Sequence, residues 1–248
     1  MAVAAALTDV GLVRRGKVNE DSYCALELTS PRPLWLWAVA DGVGGYEAGD
    51  VASRMAVEIL SQSVRAAWEN GGAPAVFLGQ AIRTVNEAIL AESERRQAEG
   101  MGTTLTAVVF DGEYLYVGHT GDTRAYLIRG GSIRQLTDDH SLVGELVRKG
   151  SLTESEAMQH PQRNVITHAL GLEPEARVDV FKERAESGDR VVVCSDGLTG
   201  LVSAEEIMNT VLAGTDLNAA VSQLVAMSNE RGGYDNITVV VADIGSLR

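Results

Sequence analysis

The feature that most constrains the fold is a run of seven apolar residues, Leu34–Ala40 (LWLWAVA), which ends at the carboxylate of Asp41. Three of the next four residues are glycines: Gly42, Gly44 and Gly45. An unbroken apolar run of this length predicts a strand that is buried on both faces. Asp41 is then either an ordinary turn residue at the end of that strand or a residue with a chemical function. The rest of the chain has to separate these two interpretations.

The same arrangement recurs along the chain, because several acids flanked by glycine or asparagine stand beside apolar strands. They are Asp21, Asp41, Asp122, Asp196 and Asp235. Strand ends of one sheet can converge on one rim, where two carboxylates about 4 Å apart repel by about 4 kcal/mol at an effective dielectric constant of 20. Such a cluster must take up protons or bind cations. Oxygen ligands without histidine or cysteine favour Mg²⁺ or Mn²⁺ over zinc.

The glycines after Asp41 fit a metal site. Without a Cβ atom, Gly42 can bring its carbonyl oxygen close to an ion, and Gly44 and Gly45 allow the chain to turn into a helix. A helix start presents free N–H groups and a positive dipole end to an anion. Metal ligands beside such a helix start indicate a phosphoryl substrate.

The histidines and cysteines are not expected to ligate a metal. The four histidines show no H-x-x-x-H spacing, and His119 is expected to be a hydrogen-bonded residue of the core or its rim. The two cysteines, Cys24 and Cys194, form no C-x-x-C pair, which excludes a disulfide scaffold and a cysteine-based zinc site. Cys194 lies in the apolar segment VVVCSD and is expected to be a buried, unreactive thiol.

Composition narrows the class of protein. With 248 residues, 45% of them hydrophobic, and with few prolines and no repeat or long polar linker, we expect a single domain. The net charge of −13 and the lack of a Lys/Arg cluster argue against binding nucleic acid or an anionic membrane surface. We find no signal peptide and no apolar run approaching the roughly 20 residues of a membrane span. A cytoplasmic protein is therefore expected.

Periodicity predicts an α+β fold built on antiparallel sheet. Apolar residues at helical spacing indicate two neighbouring helices, and Asp-Gly and Gly-Gly turns indicate two hairpins followed by a polar excursion from the sheet. The predicted elements are a strand over 34–40, a helix over 48–69, a helix from Pro74, hairpins over 103–136, an excursion over 138–171 with a capping box at Thr153 and Glu156, a strand over 191–196, helices over 204–211 (with a capping box at Ser203 and Glu206) and 217–229, and a strand over 236–244.

Eight motifs in a fixed order resemble the metal-dependent serine/threonine protein phosphatases of the 2C type (the PPM family) in their compact bacterial form. They span about residues 9–243 and read GLVRRGKVNEDS, VADGVGG, GMGTTLTAVVF, GHTGDTRAYLI, DDHSLV, HPQRNVITHALG, VVVCSDGL and GGYDNITVVV. The resemblance implies a four-layer α/β/β/α sandwich, with two central, mainly antiparallel sheets flanked by helix pairs. Residues 1–248 would form one catalytic domain, with a flap over about 139–171.

The resemblance also implies two, and in bacterial members three, Mn²⁺ or Mg²⁺ ions. Asp41 would bridge two ions, the Gly42 carbonyl would ligate one of them, and Asp196 and Asp235 would complete the binuclear centre. Asp122 would hold the third ion together with Asp196. Glu20 and Asp21 would act nearby, through water.

Two departures from the family pattern concern catalysis. Bacterial members have two residues between the phosphate-binding arginine and Asn-Glu-Asp, whereas four residues separate Arg14 from Asn19. Arg14 keeps the spacing from Gly11 and is expected to bind phosphate, with Arg15 as a competitor and a solvated arginine pair as the alternative. Val43 stands where animal members carry a histidine proposed as general acid, so the leaving-group proton would have to come from water.

The implied reaction is hydrolysis of phosphoserine and phosphothreonine in proteins, by in-line attack of a metal-bridging hydroxide without a phospho-enzyme. Arg14, Asp41, Asp196 and Asp235 would carry the catalysis. The implied partners are phosphoproteins made by a cognate serine/threonine kinase, and a monomer is expected. Two alternatives stay open: a catalytically inactive regulatory module, and a metal-dependent phosphohydrolase acting on small molecules.

Overall fold

Two antiparallel sheets form the centre of the molecule in the computed structural model, which describes residues 2–44, 48–153, 156–157 and 160–245. The first sheet has the order β1-β11-β10-β7-β8, and the second has the order β2-β3-β5-β6-β9, with β4 paired to β3. The strands are β1 (Val3–Asp9), β2 (Asp21–Leu28), β3 (Leu34–Val43), β4 (Gly102–Thr103), β5 (Leu105–Phe110), β6 (Tyr114–Thr120), β7 (Arg124–Arg129), β8 (Ser132–Gln135), β9 (Asp179–Arg184), β10 (Arg190–Cys194) and β11 (Ile237–Asp243).

Helices cover the outer face of each sheet, so the predicted four-layer α/β/β/α sandwich is confirmed. The described helices are α1 (Gly49–Glu69), α2 (Pro74–Arg96), α3 (Leu142–Arg148), α4 (Asp196–Thr199), α5 (Ala204–Leu212) and α6 (Leu217–Glu230). Helices α1 and α2 pack on the sheet that contains β2, β3, β6 and β9, whereas α5 and α6 pack on the sheet that contains β1, β8 and β11.

Strand β3 shows why the sandwich has three apolar layers. Successive side chains of a strand point to opposite faces of its sheet. Leu36 and Ala38 accordingly pack against α1 and α2, whereas Trp35 and Trp37 point into the layer between the two sheets. Because both faces are covered, the strand carries the unbroken apolar run from which its burial was predicted.

The layer between the sheets becomes polar at one end of the sandwich. Val191 and Val193 of β10 lie in this layer, and the next position in the alternation is Ser195. Val240 of β11 also lies there, and the preceding position in the alternation is Thr238. The same alternation in β3 leads to Asp41, so polar side chains from both sheets meet where the apolar layer stops.

Several predicted boundaries need correction. Strand β3 continues to Val43, so Asp41 lies within the strand rather than at its end. Strand β10 ends at Cys194, and Asp196 begins the short helix α4 rather than ending the strand. Strand β3 extends to Val43 because Gly42 and Val43 pair with β4, whereas α4 follows β10 because the Gly200 N–H donates to the Asp196 carbonyl.

Both predicted capping boxes are present. The Ser203 hydroxyl accepts the Glu206 backbone N–H, and the Glu206 side chain accepts from the Ser203 backbone N–H at the start of α5. Thr153 and Glu156 form the same reciprocal pair. The short helix predicted after Thr153 falls partly on residues 154, 155, 158 and 159, which lie outside the described residues, as do the turn residues 45–47.

Candidate metal centre

The site begins with a pair of aspartates on neighbouring strands. Asp21 and Asp41 are direct partners in the antiparallel β2–β3 ladder. Like charges directly opposite each other in a sheet are destabilising, so this pairing costs free energy unless a proton or a cation compensates it. Asp21 is buried and Asp41 is half-buried, which strengthens the repulsion.

The other predicted acids reach the same place from the other sheet and from the crossover between the sheets. Asp196 begins α4 directly after β10, and Asp235 precedes β11 by two residues. Asp122 lies in the turn that joins β6 of one sheet to β7 of the other. The carboxylates of these three residues all repel the charge of Asp41, so the predicted convergence of distant acids is observed.

Burial and mutual repulsion raise the pKa values of these carboxyls. Burial is the largest cause for Asp41, whose pKa lies well above its ordinary value, and the charges of Asp21, Asp196, Asp122 and Asp235 add to it. Burial also raises the pKa of Asp196 to about 6, with the charge of Asp235 as the next cause. The pKa of Asp122 is raised well above its ordinary value by burial and then by Asp196. Without bound cations, this site therefore holds protons.

Asp21 has hydroxyl partners that connect the two sheets. The buried Ser195 hydroxyl donates to Asp21 Oδ2 at 2.7 Å and accepts the Thr238 N–H at 2.9 Å. Burial raises the pKa of Asp21 to about 7, and the hydroxyls of Thr238 and Ser195 lower it in part. The Ser195 hydroxyl thus donates its one hydrogen bond to Asp21 Oδ2. This bond fixes the orientation of the carboxylate and therefore of Oδ1.

Arg14, the first of the two candidate arginines, contacts the acidic site. Its guanidinium forms ion pairs with Asp235 and with Glu20, and its side chain is 23% exposed. Arg15 is exposed. A guanidinium has five N–H donors in a planar fork that matches carboxylate and phosphate oxygens. Arg14 therefore places a positive group with the right chemistry for phosphate beside the carboxylates.

Gly42 is required for a reason that the sequence does not show. A Cβ atom at this position would overlap the Gly49 carbonyl oxygen and crowd the Glu20 carbonyl oxygen at 2.7 Å. The Gly42 N–H also donates to the Glu20 carbonyl at 3.0 Å. The absent side chain thus allows three backbone segments, including the start of α1 and the residue before β2, to pack at the site.

The residues present fit divalent cations. One buried oxygen each of Asp21, Asp122 and Asp196 has no hydrogen-bond partner in the described structure, and buried polar atoms are normally paired. Within the described ranges, no three acidic, imidazole or thiol groups already surround a single point as a finished ligand set. Unpaired oxygens on carboxyls of raised pKa are nevertheless what a hard cation would satisfy, since binding it would replace the held protons.

A cleft adjoins the carboxylates. It has a volume of about 380 Å³, and its lining includes Asp122, Asp196 and Asp235. The lining also includes Val147 of α3, which lies in the predicted flap, residues of α4, and the exposed Tyr234. The cleft therefore gives a ligand access to these three carboxylates.

The predictions that His119 is a hydrogen-bonded residue of the core and that Cys194 is a buried thiol are confirmed. His119 is buried, and its ring nitrogens contact the Thr106 hydroxyl at 2.8 Å and the Asp138 carbonyl oxygen at 3.0 Å. Cys24 and Cys194 are buried free thiols whose pKa values burial raises to about 11 and about 12. Neither thiol is a nucleophile at neutral pH.

Sequence reasoning missed the polar residues that support the acids. Ser195 and Thr238 belong to this group, and so does Asn236, whose side chain accepts the Glu20 N–H at 2.8 Å and donates to the Val10 carbonyl at 3.0 Å. One signal was available: directly after β10 and in β11, the positions that continue the alternation of inner-layer apolar residues are Ser195 and Thr238. Such residues in a buried register indicate polar partners across the layer.

Comparison with known proteins gives consistent matches. A family model described as protein phosphatase 2C matches residues 11–242. The serine/threonine phosphatase stp of Listeria welshimeri is 38% identical over 244 residues, covering 95% of this chain and 93% of that protein. A crystal structure of the Mycobacterium tuberculosis serine/threonine phosphatase PstP/Ppp is 40% identical with a TM-score of 0.88, covering 98% of this chain and 99% of that one.

A further solved structure bears on the acidic cluster. It is the catalytic domain of the serine threonine protein phosphatase PstP in complex with 2 manganese ions. That chain is 38% identical to this one with a TM-score of 0.84, and the match covers 98% of this chain and 97% of that one. A chain of closely similar fold thus binds two divalent cations of the kind predicted here.

Proposed function

The chain belongs to the protein phosphatase 2C family, and on that premise we propose that it hydrolyses phosphoserine and phosphothreonine in proteins. The observation that carries this proposal is the convergence of carboxylates from both sheets beside a guanidinium and an open cleft. Five acids that repel one another have no evident structural benefit, whereas with divalent cations they can accept a dianionic phosphate ester.

We assign the cations to the following residues: Asp41, Asp196, Asp235 and the Gly42 carbonyl for a binuclear centre, Asp122 with Asp196 for a third ion, and Glu20 and Asp21 through water. Divalent cations supply a low-pKa water as nucleophile and neutralise charge on the phosphate oxygens. Mn²⁺ and Mg²⁺ both suit this all-oxygen set.

The protein side chains have the remaining tasks. We assign to Arg14 the bidentate binding of two phosphate oxygens, which orients the ester beside Asp235, a residue of the cleft lining. To do so it must exchange its contacts with Glu20 and Asp235 for the phosphate. Val43 has no proton to donate, so the leaving-group oxygen takes its proton from water. Arg15 is exposed and is not assigned a role at the phosphate.

We also infer that the chain acts as one domain, as a monomer in the cytoplasm, on products of a cognate serine/threonine kinase. The single layer of apolar side chains shared by both sheets supports one domain. The buried free cysteines are compatible with a reducing compartment. None of the described helices is long and apolar enough for a bilayer span.

A hydrolysis assay tests the proposed function. Purified protein is stripped of metal and assayed on a phosphothreonine peptide with added Mn²⁺, with Mg²⁺ or with EDTA. We expect hydrolysis only with the divalent ions, and none for Asp41→Asn. Absence of hydrolysis with either ion would favour an inactive binding module. Faster hydrolysis of free phosphoserine than of the peptide would favour a small-molecule phosphohydrolase.

A further inference from the structure

The turn that carries Asp122 is clamped between two buried residues. Gly121, directly before Asp122, has a φ of +106°, and a Cβ atom there would lie 2.5 Å from Thr104 Cβ. Thr104 is itself bound to Asp41, because its N–H donates to the Asp41 carbonyl at 2.8 Å and its hydroxyl accepts the Asp41 N–H at 3.0 Å. One side of the turn therefore rests on the strand that supplies the central carboxylate.

His140 holds the other side of this turn with two hydrogen bonds. Its backbone N–H donates to the Gly121 carbonyl at 2.7 Å, and its ring Nδ1 accepts the Gly121 N–H at 3.3 Å. The ring is fully buried, and its Nε2 lies 3.0 Å from Asp179 Oδ2. Because Nδ1 accepts this hydrogen bond, the ring hydrogen must be on Nε2, so Asp179 selects the tautomer that can hold Gly121.

The same residue stands at the base of the flap. The His140 carbonyl accepts the Thr167 N–H at 2.8 Å, and the next residue, Ser141, pairs with Ile166 in an antiparallel bridge. His140 thus joins the two ends of the flap to the turn that carries Asp122. Of the residues that hold this turn, Thr104, His140 and Asp179 are not among those assigned to the cations or the phosphate.

We propose that His140 is a positioning residue, which fixes the Gly121–Asp122 backbone for cation binding and ties that backbone to the flap. The inference rests on the proposed function only in assuming that Asp122 serves a cation. Buried partners that orient a metal ligand are typically worth about 10–100-fold in metal affinity. The ring is well suited to this task, since its two nitrogens can serve as acceptor and donor in opposite directions.

Two substitutions separate positioning from general support of the fold. In His140→Asn, the side-chain oxygen can occupy the place of Nδ1 and accept the Gly121 N–H, but the contact with Asp179 is lost. In His140→Gln, the side-chain nitrogen can occupy the place of Nε2 and donate to Asp179, but the Gly121 N–H loses its acceptor. Asp122→Asn identifies the class of Mn²⁺ sites that depends on Asp122. His160→Gln, in the flap, is a matched control.

The test is titration calorimetry of Mn²⁺ into each metal-stripped protein, with thermal unfolding measured alongside. We expect His140→Gln to weaken the Asp122-dependent class at least about 10-fold. His140→Asn and His160→Gln should stay within about threefold of the wild type. The Mn²⁺ sites that survive in Asp122→Asn should be unchanged in all three histidine variants.

Equal Mn²⁺ affinity in His140→Gln and the wild type would overturn the proposal. So would an equal loss in His140→Gln and His140→Asn, which would indicate only a structural role. If Asp122→Asn loses no Mn²⁺ site while the wild type is an active, Mn²⁺-binding phosphatase, the His140 inference fails and the proposed function stands. If the wild type binds no Mn²⁺ at all, the proposed function itself fails.

Discussion

Asp21 and Asp41 lie directly opposite each other in the β2–β3 ladder, on the face that points between the two sheets. Two acids in this relationship repel, and burial intensifies the repulsion. The acids at the ends of the other sheet and in the crossover increase it further. The repulsion at this end of the sandwich therefore lowers the stability of the fold, and bound cations would compensate that repulsion.

Removing a central carboxylate should abolish activity. We expect Asp41→Asn and Asp196→Asn to lower kcat/KM at least about 100-fold, since even outer partners of a metal site are worth about 10–100-fold. The measurement is hydrolysis of p-nitrophenyl phosphate in saturating Mn²⁺. Asp111→Asn is the control, because Asp111 caps the β5–β6 turn by accepting the Glu113 and Tyr114 N–H groups. Near-wild-type turnover in either site variant would contradict the assignment.

Substituting Arg14 should weaken the binding of the phosphate group and slow its hydrolysis. A hydrogen bond to a charged group contributes about 1.5–3 kcal/mol, so losing this arginine should lower kcat/KM about 10–150-fold. Mn²⁺ affinity should not fall, because Asp235 and Glu20 lose a competing positive partner. Arg15→Ala should stay within about threefold of the wild type, as exposed substitutions usually do. A larger loss for Arg15→Ala than for Arg14→Ala would reverse the assignment.

Metal-free protein should lose stability as the pH rises. The carboxyl of Asp196 has a pKa of about 6 in the fold against 3.8 as the ordinary value, so the folded state holds a proton that the unfolded state has released. Between these two values, the free energy of unfolding falls with rising pH, and above the folded pKa the penalty is constant. Asp196→Asn removes this penalty.

In EDTA at pH 8, we therefore expect Asp196→Asn to raise Tm, whereas near pH 4 the two proteins should differ little. For a chain of this size, each kcal/mol corresponds to about 2–4 °C. With Mn²⁺ the order should reverse, because the wild type gains more from the ions. Thermal unfolding followed by circular dichroism measures both effects, and a lower Tm for the variant in EDTA at pH 8 would contradict the electrostatic account.

Asn86 should be important for stability although it is not among the residues assigned to the cations or the phosphate. Its side chain donates to the Glu173 and Pro174 carbonyls and accepts the Gly171 N–H at 2.7 Å, so it fastens the segment after the flap to α2. Leaving such buried groups unpaired costs about 1–3 kcal/mol. Asn86→Ala should lower Tm by several degrees. Asn70→Ala, which removes an exposed bond to the Ala66 carbonyl, should change it little.

Periodicity predicted an antiparallel sheet covered by helices, whereas the division into four layers was implied by the family resemblance. The run at 34–40 could only be a buried strand, and the apolar stripes of α1 and α2 required a sheet to cover. The ends of the strands and helices were harder to predict. The sequence did not show that the Asp196 carbonyl accepts the Gly200 N–H at 2.7 Å, the bond that makes Asp196 the first residue of α4.

The candidate site could also be predicted only in part. The acids were recognisable from their glycine or asparagine neighbours and from their place beside apolar strands. The residues that orient them were not, since Ser195 and His140 act through contacts 174 and 19 residues away in the chain. The need for glycine at position 42 also depends on the start of α1, which only the folded chain brings against it.

The central claim is that the acids of both sheets share divalent cations around Asp41, and anomalous diffraction from a crystal soaked in Mn²⁺ tests it most directly. We predict at least two anomalous peaks within about 2.5 Å of carboxylate or carbonyl oxygens, with Asp41 contacting both ions and Asp196 and Asp235 among their other ligands. A fully soaked crystal that shows no anomalous peak at Asp41, with the carboxylates still paired to protons and to Arg14, would contradict the account.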